Sequence, residues 1–304
     1  MKQEITIVIC CYNGEEKLPL VIEHIYAQTS LENYVSEVII VDNNSTDKTK
    51  NVIEGCAVRY NKIPIRYAFE PISGLSNARK RGVSECKTKW IAFLDDDNYV
   101  EKNWIYYIAK YIDENKSVGV FNGAVIPYVS FQMTDEENQR LKASLKVLAC
   151  THYNKEELSR NPKTPFRNPI GAGMVILAEP LKKLLGEGWL DSAGRTRDNL
   201  TSGEDGEMAF YIKNQGYSFG FCPEAVLEHH MSRVRLSEEY LLKMWYEIGR
   251  GVAVVAKKQH TSNIILILYR VFIEIRKLVY YMQNKIKGHF YSEYIRGYSH
   301  EIRK

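Results

Sequence analysis

"WIAFLDDDNYV", Trp90 to Val100, decides how the rest of the chain is read. Trp90–Leu94 is an apolar run of strand length, and it leads straight into Asp95, Asp96 and Asp97. A short continuous apolar run ending in a polar turn is the pattern of a buried strand. The pattern occurs twice upstream: Ile5–Cys11 leads into "CYNG", and Glu37–Val41 leads into Asp42 of "VDNNSTDKT". Between these runs lie stretches with helical spacing, such as Leu18, Val21, Ile22 and Ile25 within Glu15–Gln28. Ser45 is placed to cap a helix reaching about Gly55, Ile63–Phe69 alternates like a strand, Ser73–Gly82 reads as a Gly-led loop and helix, and Glu101–Asn115 reads as a helix. Strand and helix alternating at this spacing predict βαβ units and a mostly parallel sheet in an α/β fold. Ligands on such sheets bind beyond the carboxyl ends of the strands, where all three polar clusters fall.

The second half is less regular. Val118–Val129 reads as one or two strands, Asp135–Ala149 as a polar helix, and Thr151–Pro169, with three prolines, as a long loop. "GAGMVILAEPLKKLL" is a strand followed by a helix. "SGEDGEMAFYIKNQG" predicts a helix from Ser202 to Gly216, and Tyr217–Cys222 and Ala225–His229 read as short strands. The chain is then helical from Ser237 to about Lys287, with a break near His260–Ser262.

The chain has 304 residues, enough for one large domain or two modest ones. Its net charge of +4 is unevenly spread: Lys257–Lys304 carries ten basic and three acidic residues, while the remainder has a net charge of −3. A basic appendage on an acidic body points to an anionic surface or polyanion as partner. The six cysteines (Cys10, Cys11, Cys56, Cys86, Cys150 and Cys222) form no C-x-x-C, as expected for free thiols in a reducing cytosol. Neither a signal peptide nor an apolar stretch of about 18 residues is visible, so no membrane span is expected. Cys10 and Cys11 are consecutive in a strand and point to opposite faces, so they read as buried small hydrophobes rather than metal ligands.

Three adjacent carboxylates repel one another. They read either as an acidic, water-facing turn or as a site where a divalent cation relieves the repulsion, with hard oxygen ligands suiting Mg²⁺ or Mn²⁺ and a phosphate sharing the ion. An EF-hand is excluded because Val100 stands where its glycine is required. Ser202–Asp205 matches a capping box, and Asp205 is equally placed to act as a general base. In "EHHMSRVR", alternation turns only one of His229 and His230 toward a site, and Arg233 or Arg235 offers a diphosphate a planar donor fork. "SGLSNARKRGV" places Gly74 and Arg79 at another strand-to-helix loop. The G-x-G-x-x-G and G-x-x-x-x-G-K-[ST] fingerprints are both absent from the chain.

Taken in order, "IVICCYNGEEKLPLVIEHI", "EVIIVDNNSTDKT", "GLSNARKRGV", "IAFLDDDNYV" and "GEDGEMAFYIKNQGY" resemble glycosyltransferase family 2, over about residues 4–230. The resemblance implies an inverting enzyme of GT-A fold, in which a Rossmann-like nucleotide-binding sheet is continuous with an acceptor-binding half. It divides the chain into residues 1–125 for the nucleotide sugar, 126–235 for the acceptor and 236–304 as a C-terminal helical extension. It implies a nucleotide diphosphate sugar donor, a UDP-sugar by expectation, used with Mn²⁺ or Mg²⁺. Cys11, Tyr12 and Asn13 would occupy the first strand-end motif, with Tyr12 against the base and Asp42 hydrogen-bonded to it. Arg79 matches the Arg of an Ala-Arg-Asn motif in which Lys80 replaces the Asn. Asp95 or Asp96 would lie near the ribose, Asp97 would bind the metal directly, His229 would join it, and Asp205 would be the base. The Gln-x-x-Arg-Trp of processive members is missing; the nearest stretch is Leu241–Trp245, so transfer of a single sugar is expected.

Residues 262–287 place Ile264, Ile265, Leu268, Val271, Phe272, Ile275, Leu278, Val279 and Met282 at helical spacing among basic residues and tyrosines. Such a helix lies on an anionic membrane or packs its stripe on the protein's own body or a second subunit. The membrane reading fits a lipid-linked or glycan acceptor on the inner face of the cytoplasmic membrane, in surface-polysaccharide assembly. No nucleic-acid partner is expected. A nucleotidyltransferase and a non-catalytic membrane-bound scaffold are the competing classes; the first lacks a good Gly-rich basic loop after strand one, and the second is disfavoured by the intact Arg79, Asp97 and Asp205.

Overall fold

A computed structural model describes residues 4–163, 168–188, 203–259, 263–283 and 285–303. The elements run β1 (Ile5–Cys11), α1 (Leu18–Tyr26), α2 (Leu31–Tyr34), β2 (Val35–Asp42), α3 (Thr49–Arg59), β3 (Ile65–Phe69), α4 (Leu75–Glu85), β4 (Trp90–Asp95), β5 (Asn98–Val100), α5 (Trp104–Glu114) and β6 (Val118–Tyr128). They continue with α6 (Asp135–Ser144), α7 (Lys155–Arg160), β7 (Met174–Leu177), α8 (Ala178–Gly186), α9 (Glu204–Asn214), β8 (Ser218–His230), a 3₁₀ turn (Arg233–Leu236), α10 (Glu238–Gln259), α11 (Asn263–Gln283) and α12 (Lys285–Ile302).

Among the described residues, all eight strands join one sheet, ordered β3-β2-β1-β4-β7-β6-β8-β5. The strands β3, β2, β1 and β4 are mutually parallel, as the apolar runs predict. Beyond them the sheet is mixed: β7 is antiparallel to both neighbours, and β5 is antiparallel to β8. Every residue of β1 is buried because parallel strands flank it on both sides and helices cover the faces. The register of β1 places Cys11 opposite Asp42 and Cys10 opposite Asp95. Three strand ends therefore finish at one level, and their turns form one edge.

Several expected boundaries move. Helix α1 begins at Leu18 rather than Glu15, with a proline in its first turn and Leu18 N–H bonded to the Gly14 carbonyl. Helix α3 begins at Thr49, not after Ser45: the Ser45 hydroxyl accepts from the Asn13 amide, and the Asp47 carboxylate takes the Thr49 amide instead. The two short strands expected at 217–229 are a single strand, β8, whose register against β6 shifts at Gly123/Ala124. Helix α9 starts at Glu204 after Gly203, whose φ of 141° suits glycine; the proposed cap Ser202 lies outside the described residues, as does the break at 260–262.

The C-terminal helices stack on one another. Helices α10 and α12 approach so closely that a Cβ on Gly249 would lie 2.0 Å from the Tyr294 carbonyl oxygen, and one on Gly297 would lie 1.9 Å from that of Tyr246. Trp245 packs edge-on against Tyr291 and Tyr294 at this contact. Helix α11 buries Leu266 and Ile273, yet Val271, Phe272, Ile275, Leu278 and Val279 from the expected stripe are exposed. Among the described residues, no helix is long and apolar enough to cross a membrane.

Candidate active site

The turns after β1 and β2 are sewn together. Asn13, in a left-handed conformation at φ 52°, donates its amide to Ser45 Oγ and accepts the Thr46 amide on Oδ1. Asp42 is buried; its Oδ1 accepts from the Ser45 amide and its Oδ2 from the Tyr67 hydroxyl at 3.0 Å. Burial and the Asp42 carboxylate push the Tyr67 phenol up to about 12, so the phenol remains a donor to that carboxylate. Cys11 is buried: its thiol donates to the Val41 carbonyl at 3.5 Å, its own carbonyl accepts from the Asn43 amide, and burial raises the thiol far above its usual range. Tyr12, at 37% exposure, presents an open aromatic face.

Each of the three aspartates faces its own basic side chain: Asp95 lies 3.8 Å from Arg79, Asp96 3.3 Å from Lys17, and Asp97 2.7 Å from Arg235. The mutual repulsion of these carboxylates is met by three basic residues far apart in sequence. Burial and the neighbouring Asp97 push the Asp96 carboxyl up to about 6. Burial works in the same direction on Asp97, but the positive charge beside it, that of the Arg235 guanidinium at 2.7 Å, holds it well below the usual carboxylate range.

The strand β5, which the sequence pattern does not reveal, places His229. Asn98 pairs with His229 across the β5–β8 ladder, which brings His229 Nε2 to 3.4 Å from Asp97 Oδ1. The His229 Nδ1–H donates to the Leu148 carbonyl at 2.9 Å, leaving the Nε2 lone pair to accept from Arg235 Nη1 at 2.6 Å. Two neighbouring ligands of a cation held at about 2.1 Å lie roughly 3 Å apart, so the Asp97–His229 separation suits a Mg²⁺- or Mn²⁺-sized ion. Arg235, bonded to both, stands as a cationic group at that spot. Among the described residues no three His, Cys, Asp or Glu side chains converge, so an ion here would take the rest of its shell from phosphate and water.

Arg79 is buried rather than open to a ligand. Its Nη1 bonds Glu204 Oε1 at 3.0 Å, with both side chains under 5% exposed, and its guanidinium lies over the Phe93 ring. This pair ties α4 to the first turn of α9, and the next residue is Asp205. Asp205 Oδ2 accepts from the Gly171 amide at 3.1 Å and Oδ1 from the Gly206 amide at 2.8 Å. The loop bearing Gly171 is pinned by the buried Asn122, whose amide nitrogen donates to the Ile170 and Ala172 carbonyls and whose oxygen accepts from the Ile170 amide. Glu204, Asn122 and Lys17 are the residues the sequence reading missed. Only Glu204 carries a signal, as the neighbour of Asp205.

A model of Glycosyl transferase family 2 matches residues 6–185. The minor teichoic acid biosynthesis protein GgaB of Bacillus subtilis (strain 168) is 30% identical over 224 residues, covering 73% of this chain and 22% of that protein. The chain spans only part of the curated relatives it matches, between 18% and 40% of the length of four of them. Two solved structures share its fold. The mannosyltransferase PcManGT from Pyrobaculum calidifontis, in complex with GDP-Man and Mn²⁺, superposes with a TM-score of 0.58 at 15% identity, over 84% of this chain and 65% of its own. S. aureus TarS 1–349, in complex with UDP-GlcNAc, gives 0.54 at 17% identity, over 84% and 66%.

Proposed function

This chain belongs to glycosyltransferase family 2, and on that premise we propose an inverting, cation-dependent enzyme that moves one sugar from a nucleotide diphosphate sugar to a hydroxyl of a cell-surface glycan or lipid-linked acceptor. The observation that carries this reading is the common level of the strand ends. Register puts Asp42 and Asp95 on either side of β1, and the Arg79–Glu204 pair joins Asp205 to the same edge. In the sequence division, residues 1–125 hold the donor, 126–235 the acceptor, and 236–304 form the helical extension.

The residues take complementary roles. Tyr12 covers the nucleotide base, and Asp42, fixed by Ser45 and Tyr67, accepts a hydrogen bond from it. Asp95 and Asp96 face the ribose. Asp97 and His229 would hold the cation, whose chemistry is to take up negative charge developing on the departing diphosphate. Asp205, aimed by the Gly171 and Gly206 amides, removes the proton from the acceptor hydroxyl as that oxygen attacks from the face opposite the nucleotide. Arg79 braces Asp205 and Asp95 from behind. The nucleotide sugars of PcManGT and TarS, and the Mn²⁺ of PcManGT, support the class of donor and ion. GgaB, named for minor teichoic acid biosynthesis, supports a cell-surface glycan product. The missing Gln-x-x-Arg-Trp supports single transfer.

Peripheral membrane contact completes the proposal. The exposed face of α11 carries Val271, Phe272, Ile275, Leu278 and Val279, with Arg270, Arg276 and Lys277 on the same helix. An apolar face on a helix that carries three cations against the single acidic Glu274 suits the surface of an anionic bilayer, where a lipid-linked acceptor would be found.

The test is a screen of UDP- and GDP-sugars with Mn²⁺ or Mg²⁺, reading the product released. Free nucleoside diphosphate is the expected product. Pyrophosphate would identify a nucleotidyltransferase, and no turnover of any donor a non-catalytic scaffold.

A further inference from the structure

Asp97 is a buried carboxylate held by ion pairing. Its side chain is 8% exposed, and Arg235 reaches Oδ2 at 2.7 Å from the one-turn segment Arg233–Leu236. A carboxylate this deeply buried requires a counter-cation, because an unpaired charge there costs several kcal/mol on the order of magnitude typical of proteins. The same guanidinium donates to His229 Nε2 at 2.6 Å. It therefore holds, simultaneously, His229 Nε2 and the second oxygen of the carboxylate whose Oδ1 faces that nitrogen. A metal and Arg235 cannot both use the His229 lone pair.

We infer that Arg235 is an exchangeable counter-cation, which competes with the divalent ion for Asp97 and His229 and makes tight binding of the ion depend on the donor's diphosphate. The inference rests on the assignment of Asp97 and His229 as the cation site. The electrostatics set the order of events. A dication approaching Asp97 alone meets one negative charge already matched by Arg235, with Lys17 held on the adjacent Asp96. Like charges in a poorly solvated site disfavour that encounter. A nucleoside diphosphate changes the balance, because it brings anionic oxygens for the ion and a new partner for the displaced guanidinium, whose planar fork suits phosphate. Arg235 keeps a route out: it is 26% exposed and sits on a short turn outside the sheet. The interlock leaves Asp97 paired throughout, first by arginine and then by the ion.

The test measures Mn²⁺ binding to the full chain without nucleotide, by calorimetry or by the loss of the free-ion paramagnetic resonance signal. It compares wild type with Arg235→Gln, Arg235→Lys and Asp97→Asn. Removing a competitor held by charge-assisted hydrogen bonds should tighten Mn²⁺ binding about tenfold or more in Arg235→Gln. Arg235→Lys, which keeps the charge, should stay near wild type, and adding UDP should tighten wild type more than Arg235→Gln. The rise in melting temperature on adding Mn²⁺ should likewise be larger in Arg235→Gln, a reading that tolerates a lower starting stability. Equal Mn²⁺ affinity in wild type and Arg235→Gln, with binding lost in Asp97→Asn, would overturn the competition and leave the cation site standing. Mn²⁺ binding that ignores Asp97→Asn would overturn both.

Discussion

Arg79 and Glu204 form a buried ion pair, Nη1 to Oε1 at 3.0 Å, across 125 residues of sequence. It locks the helix after the third strand to the helix that carries Asp205. Removing one partner leaves the other charged and enclosed, a change that typically costs about 3–5 kcal/mol. Arg79→Leu and Glu204→Leu should each lower the urea midpoint strongly, whereas the double variant, which removes both charges, should recover much of the loss. Single and double variants of equal stability would mean the pair carries no such constraint.

Asn122 should act on transfer from behind the site. It bonds the backbone on either side of Gly171, whose amide holds Asp205. Asn122→Ala should lower the transfer rate by about tenfold or more, since a small displacement of a positioned base is costly, while donor affinity changes little. Steady-state kinetics beside a donor titration checks this; a fall in donor affinity as large as the fall in rate would place Asn122 with the donor instead.

Asp96 and Asp97 should give stability opposite dependences on pH. The Asp96 carboxyl is raised from the ordinary 3.8 to about 6, so the folded chain binds that proton more tightly than the unfolded chain. Its contribution to stability therefore falls as pH rises from about 4 to about 6. Asp97 is held low, so its contribution is present above the unfolded value and is lost as pH falls. Asp96→Asn should remove the first effect, and urea midpoints should then fall less, or rise, between pH 4 and 6. Parallel curves for variant and wild type would count against the raised Asp96.

The exposed face of α11 should carry the membrane contact. Ile275→Asp with Leu278→Asp changes residues 58% and 63% exposed, so the fold should survive. The double variant should lose flotation with anionic vesicles that bind the wild type. This pair is a cleaner test than truncation near Lys258, because truncation would strip α12 from its tight seat on α10. Unchanged flotation would remove α11 as the anchor.

The first half of the fold and the placement of Asp42 and Asp95–Asp97 at strand ends were legible because apolar runs ending in polar turns are local signals, whereas Arg79 and Asp205 were singled out by the motif resemblance. What brings them together was not. The β5–β8 ladder that sets His229 beside Asp97 pairs three residues across a separation of about 130 positions, and no short window contains it. Likewise the sequence shows that Asp95, Asp96 and Asp97 repel, but not that Arg79, Lys17 and Arg235 answer them one by one. Ser45 looked like a helix cap because cap and turn use the same hydroxyl chemistry; the nearby Asn13 amide won it. The C-terminal stripe was visible, but its direction depended on α11 having a second apolar face, through Leu266 and Ile273, to pack with.

Asp205 stands at the centre of the proposed reaction as the base of the sugar transfer. The most direct test of that role is Asp205→Asn, followed by two measurements on one preparation: donor affinity by titration with a nucleotide sugar the wild type turns over, and the rate of transfer to acceptor. Asparagine nearly preserves shape and cannot take the proton. Transfer should fall by about a hundredfold or more while donor affinity stays within about twofold of wild type. Transfer persisting at near wild-type rate, or donor affinity collapsing together with the rate, would contradict that role.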